Sequence, residues 1–163
     1  MAQARQGGGC VLDESHAIDY MRWLCGEIAE VSAVVDRVSS LEITTDDIAD
    51  LTVRFASGTV GNIHMNPFAW NVHSHFELMG EEAVIQWRRF ENEIRLFDPK
   101  AGRWEIYPFT CQLNDMYVEE AKHFLACIRG ETAPACDGWD GLKTMRVIDA
   151  AVKASAERRW VRV

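Results

Sequence analysis

The 163-residue chain has neither of the glycine motifs that cradle phosphate groups: no G-x-G-x-x-G and no G-x-x-x-x-G-K-[ST] occurs in it. The triple glycine at positions 7–9 does not replace them, because no strand precedes it. Basic residues are in the minority, 17 Lys and Arg against 25 Asp and Glu, for a formal net charge of −8. With no basic cluster longer than those within residues 87–90 and 157–160, the chain offers no face for nucleic acid. Long apolar runs are missing, which excludes a transmembrane helix, and no charged stretch followed by an apolar one opens the chain, so no secretory signal is expected. The five cysteines are an odd number without C-x-x-C spacing, a pattern expected of reduced thiols in a cytoplasm. Cys25 and Cys127 fall on predicted helices and are expected to be buried, whereas Cys10 and Cys136 flank glycine-containing loops and are expected to be more exposed.

What is present describes one globular domain. At 48% hydrophobic and 26% charged the chain has ample material for a core. Residues 1–9 lack periodicity and are expected to be a mobile end or the cut end of a longer protein, with the domain over residues 10–163. Residues 7–26 read as a glycine lead, a short amphipathic helix with Ala17, Met21 and Leu24 on its apolar stripe, and a stop at Gly26. Strands follow at 28–38, from 51 and over 59–68, the last two forming a hairpin about Ser57 and Gly58, with Pro67 ending its second strand. Further strands are expected at 76–79, 83–87, 93–97 and 103–107, with Pro99 and Gly102 in the last turn. A helix over 113–129 carries Val118, Ala121, Leu125 and Ile128 on one face and stops at Gly130. A final helix, N-capped by Asp140, buries Leu142, Met145, Ile148 and Val152, and the tail at 160–163 adds a short strand. The fold class is therefore α+β, a mostly antiparallel open sheet of about six or seven strands with helices on one face. Bulky residues such as Phe55, Trp87, Phe97 and Trp104 reach both faces, so the free face is expected to pack against another subunit.

His16, Asp19, Tyr20 and Trp23 share one stripe of the first helix. An imidazole one turn from a carboxylate is an oriented proton acceptor, although spacing alone equally describes a polar helix face. Tyr20, Trp23 and Trp70 have the aromatic surface to stack on a sugar and equally the bulk to pack in a core. His73 and His75 invite a metal reading, but two further ligands of suitable spacing are missing, so no metal site is assigned. His64 is expected to face solvent or a neighbouring chain, and His123 to lie on ordinary polar surface.

The string Gly-Gly-Gly-x-x-Leu-Asp-x-Ser-His-x-Ile-Asp-Tyr-x-Arg-Trp-Leu-x-Gly at 7–26 resembles the first helix of the C-terminal domain of the Gfo/Idh/MocA oxidoreductases. Segments at 50–58, 60–64, 76–82, 123–130 and 137–142 resemble that family in the same order, so the likeness spans nearly the whole chain. The resemblance implies the substrate-binding and association half of an NAD(P)-dependent enzyme acting on a sugar or polyol, without its Rossmann domain and inactive alone. It implies His16 as the acid–base residue, with Asp13, Asp19 and Tyr20 at the substrate and Gly8 and Gly9 beside the nicotinamide. The family places an aspartate four residues before this histidine. Here Leu12 holds that position and Asp13 lies three before. The resemblance also implies oligomers formed through the open sheet face. The alternative is a binding or assembly module that keeps the fold without the chemistry.

Overall fold

The computed structural model describes residues 3–163. The chain divides into two compact units, the chain up to Ala69 together with Ala135–Val163, and Trp70–Pro134. Each has its own antiparallel four-stranded sheet, so the strands number eight in two sheets, where the sequence led us to expect six or seven in one. Of the stretch expected to be mobile, Met1 and Ala2 lie outside the described residues, and Ala4–Gln6 form a single 3-10 turn. Among the described residues, no helix is long and apolar enough to cross a membrane.

The first unit pairs β1 (Ile28–Asp36), β2 (Ile48–Phe55), β3 (Val60–Met65) and β8 (Val161–Arg162) in the order β3-β2-β1-β8. Alternation sets its two faces: Leu51, Val53 and Phe55 with Ile63 and Met65 are buried, and Thr52, Arg54, Asn62 and His64 are not. The outer face is a ladder of polar pairs, Arg54 on Glu30 at 2.9 Å, Thr52 on Asn62 at 3.1 Å and His64 on Asp50 at 2.6 Å. The inner face forms a single core with α1 (Cys10–Asp13), α2 (His16–Cys25) and α4 (Gly138–Glu157).

Two helix expectations are corrected here. α4 is capped by Asp137, not Asp140, its carboxylate accepting from the amides of Trp139 and Asp140 at 2.9 Å each. The helix then turns Thr144, Val147, Ile148, Ala151 and Ala154 inward and leaves Leu142, Met145 and Val152 exposed. Small side chains let the helix axis approach β1, and bulk alone misled the choice of stripe. The loop between β1 and β2 is tied by Asp47, which is fully buried and accepts from the amides of Val38 and Ser39 at 2.7 and 3.0 Å and from the Ser39 hydroxyl.

In the second unit β4 (His75–Met79), β5 (Val84–Arg88), β6 (Glu93–Asp98) and β7 (Arg103–Pro108) run in sequence order. The register puts Phe76, Trp87, Ile94 and Tyr107 in one row and Leu78, Ile85, Leu96 and Glu105 in the next, on the same face. The opposite face holds Glu77 on Gln86 and an Arg88–Glu93–Arg95 cluster, with Phe97 against Trp104 at its end. α3 (Leu113–Ile128) forms as expected and stops at Gly130 in a left-handed conformation, but none of its residues is buried. Val118, Leu125 and Ile128 of the apolar face read from its sequence are exposed.

Candidate functional site

The glycine-rich lead fixes where the first helices begin. Gly9 adopts φ 149° and ψ 149°, a region closed to other residues, and a Cβ there would collide with the Asp46 carboxylate. That carboxylate accepts from the Val11 amide at 2.8 Å, and the Asp46 carbonyl accepts from Cys10 at 3.1 Å, so residue 46 holds the start of α1. Gly8 is half-buried, its amide 3.4 Å from the Gln3 carbonyl. Cys10 is buried, contrary to the exposure expected of it, and burial followed by the charge of Asp46 pushes its thiol up to about 12. Cys136 is exposed, as expected.

The single helix read from the sequence is broken in two: α1 ends at Asp13, α2 begins at His16, and Glu14 and Ser15 form the joint. The break removes the three-residue helical relation between Asp13 and His16. Asp13 turns back to the Gly9 amide at 3.3 Å. The carboxylate at the imidazole is Glu14, 3.3 Å from His16 Nε2, with the two side chains 44% and 58% exposed. Tyr20 follows on the same helix, its ring centroid 6.4 Å from that of His16. Burial and then the Glu14 charge raise its phenol above the ordinary value, keeping it protonated.

Asp19 is drawn away from His16. It accepts from Arg22 at 3.1 Å and from the Thr144 hydroxyl at 2.8 Å. Arg22 is buried, and burial opposes its charge, but hydrogen bonds to Glu27 and Asp140 outweigh that and hold its pKa above the ordinary value. The guanidinium also donates to Thr144 Oγ1 at 2.7 Å, and Lys143 reaches Glu27 at 2.7 Å. The partners from α4 stand more than a hundred residues away, so only the Asp19–Arg22 spacing signalled this node in the sequence.

Two cavities flank the helix pair. One, of about 270 Å³, is lined by the carboxylates of Asp13, Glu14 and Asp46 together with Cys10, Leu41, Ile43 and Pro67. The second, of about 280 Å³, lies over Arg22 and is lined by Asp19, Glu27, Asp140 and an indole, Trp23, that is 83% exposed. His16 lines neither, but Glu14 joins it to the first. Both cavities carry three carboxylates, and Arg22, the only cation in either lining among the described residues, has its donors engaged. A dinucleotide pyrophosphate would meet like charge in either, so these residues do not fit that group by themselves. His73 and His75 stack at 5.4 Å in the second unit, and no group of three or more metal-ligating side chains occurs among the described residues.

The model of an oxidoreductase family's C-terminal alpha/beta domain, that of Gfo/Idh/MocA, matches residues 2–163. The chain belongs to this family. Myo-inositol 2-dehydrogenase of Thermotoga maritima is 29% identical over 173 aligned positions, covering 98% of this chain and 50% of that protein. A solved levoglucosan dehydrogenase, in complex with NADH and levoglucosan, is similar at a TM-score of 0.79 and 23% identity over 92% of this chain and 48% of its own. An NAD binding oxidoreductase from Klebsiella pneumoniae reaches a TM-score of 0.84 at 21% identity, over 96% and 51% of the two chains. The structural likenesses carry the fold. The chain spans about half the length of the curated relatives it matches. Within this Gfo/Idh/MocA domain, the residues that the sequence reading missed are Glu14 at the joint, Asp46 under the glycines and the buried Asp47. Their contacts depend on a helix break and on a loop that returns to α1, and no local period encodes either.

Proposed function

We propose that this chain is the substrate-binding and association part of an NAD(P)-dependent oxidoreductase acting on a CH–OH group of a sugar or polyol, and that turnover needs a Rossmann part. The observation that carries the reading is the match to the family's C-terminal domain along the chain, with the solvent-accessible His16 at the head of α2 in the segment that resembles the family's site helix. In this reading His16 exchanges the hydroxyl proton, and Asp13 and Tyr20 contribute to the substrate wall. Asp19, already held by Arg22 and Thr144, contributes through the carboxylate oxygen those bonds leave open. Gly8 and Gly9 present backbone to the nicotinamide that the Rossmann part brings.

The test is reconstitution. Supplying a separately produced Rossmann part with oxidised NAD(P)+ and a panel of cyclic polyols is expected to restore turnover, read as formation of NAD(P)H, and His16→Ala is expected to lower kcat about 10²–10⁴-fold, the usual weight of general acid–base catalysis. Turnover indifferent to that substitution removes His16 from the chemistry. No turnover with any Rossmann partner favours the binding-module alternative. Association through the apolar sheet face of the second unit belongs to the same reading. Ile94 is 40% and Tyr107 48% exposed there, and Ile94→Lys is expected to convert an oligomer to a monomer in light scattering.

A further inference from the structure

We infer that Glu14 is the positioning residue for His16, taking the part that spacing assigns to Asp13 or Asp19; the inference rests on the role proposed for His16. Three carboxylates lie within a few residues of the imidazole, and two are committed elsewhere. Asp13 closes the turn of α1 onto the Gly9 amide at 3.3 Å, and Asp19 is shared between Arg22 and Thr144. Glu14 is left, and the helix break is what brings it in: it is the C-cap of α1, its carbonyl accepts from Ala17 at 2.9 Å in the first turn of α2, and its carboxylate comes 3.3 Å from Nε2. On an unbroken helix a residue two before the histidine would point away from it. Here the joint turns both side chains to the same side.

The consequence is directional. The charge of Glu14 beside Nε2 favours the ring proton on that nitrogen and so favours Nδ1 as the nitrogen that takes a proton. Glu14 also lines the 270 Å³ cavity, so the residue that steadies the base borders the space next to it.

The experiment reads the ring in this chain without turnover. Carbethoxylation of His16 by diethyl pyrocarbonate, followed by peptide mass spectrometry, and the imidazole ¹⁵N shifts are compared for wild type, Glu14→Ala, Glu14→Gln and Asp13→Asn. Glu14→Ala is expected to speed modification about threefold, as befits an exposed pair, and to move the Nε2 resonance. Glu14→Gln keeps an acceptor oxygen at the same reach and is expected to restore both readings, whereas Asp13→Asn leaves both at wild type. A Glu14→Ala protein indistinguishable from wild type, or an Asp13→Asn protein that shifts instead, overturns the assignment. Failure of the catalytic reading would appear separately, as turnover insensitive to His16→Ala.

Discussion

A guanidinium withdrawn from water must have its donors filled, and Arg22 fills them with Asp19, Glu27, Asp140 and Thr144 drawn from α2, the turn after it and α4. Removing the cation would leave three carboxylates facing one another. Their side chains are 42–51% exposed and can be rehydrated, so Arg22→Met is expected to cost about 2 kcal/mol, below the ~3–5 kcal/mol of a fully buried pair. Urea denaturation checks this, and a midpoint unchanged from wild type would mean the node is ornamental. The sequence made Asp19 and Arg22 legible as an i, i+3 pair. It gave no sign that Arg22 is buried, because burial is decided by the approach of Asp140 and Thr144 from the far end of the chain. The same holds for Cys10, whose glycine neighbours suggested exposure until Asp46 drew the segment onto the core.

Elements were the most readable level. β1, β2 and β3, the hairpin at Gly58, the strands of the second unit and the Gly26 and Gly130 stops all follow from period and turn chemistry, since these are local. What local pattern could not supply was which side of α4 faces the sheet, because Ala and Thr carry little hydrophobic signal yet fit where an axis must come close. Two substitutions separate the two stripes. Ala151→Leu puts bulk into the contact with β1 and is expected to destabilise by about 1–3 kcal/mol, whereas Met145→Gln on the exposed side is expected to stay within about 0.5 kcal/mol of wild type. At the head of the helix Asp137→Ala is expected to cost about 1 kcal/mol, and Asp140→Ala to act through Arg22 rather than through the cap. If thermal unfolding shows Met145→Gln as the damaging change, the observed face is wrong.

At the scale of the whole molecule, ionisation makes stability fall at both ends of the pH range. Glu27, Asp47 and Asp140 are all held below the ordinary carboxylate range. Hydrogen bonds from Lys143 and Arg22 do this for Glu27, and bonds from Arg22 and Cys136 for Asp140. Burial works against Asp47, but its bonds from Ser39 and Val38 prevail. Between their folded values and unfolded values of about 4, the unfolded chain binds more protons, so their contribution is complete above about pH 5 and disappears as pH falls through the folded values. Cys10 has the opposite sign. Its thiol is pushed up to about 12, so from the ordinary thiol value near 8.5 upward the unfolded chain loses a proton that the folded one keeps, and stability falls as pH rises. The urea midpoint is therefore expected to be flat from about pH 5 to 8 and to decline on either side. Cys10→Ala should make the decline between about pH 8.5 and 9.5 shallower, the remainder belonging to Cys25, whose thiol burial raises, and Cys136, whose thiol is raised by its bond to Asp140, and should leave the acid limb as it was. Asp47→Asn should do the reverse, shrinking the acid limb by loosening a loop whose donors point at one carboxylate. An alkaline limb as steep in Cys10→Ala as in the wild type would show that the thiol at the start of α1 does not contribute to the coupling of this fold to pH.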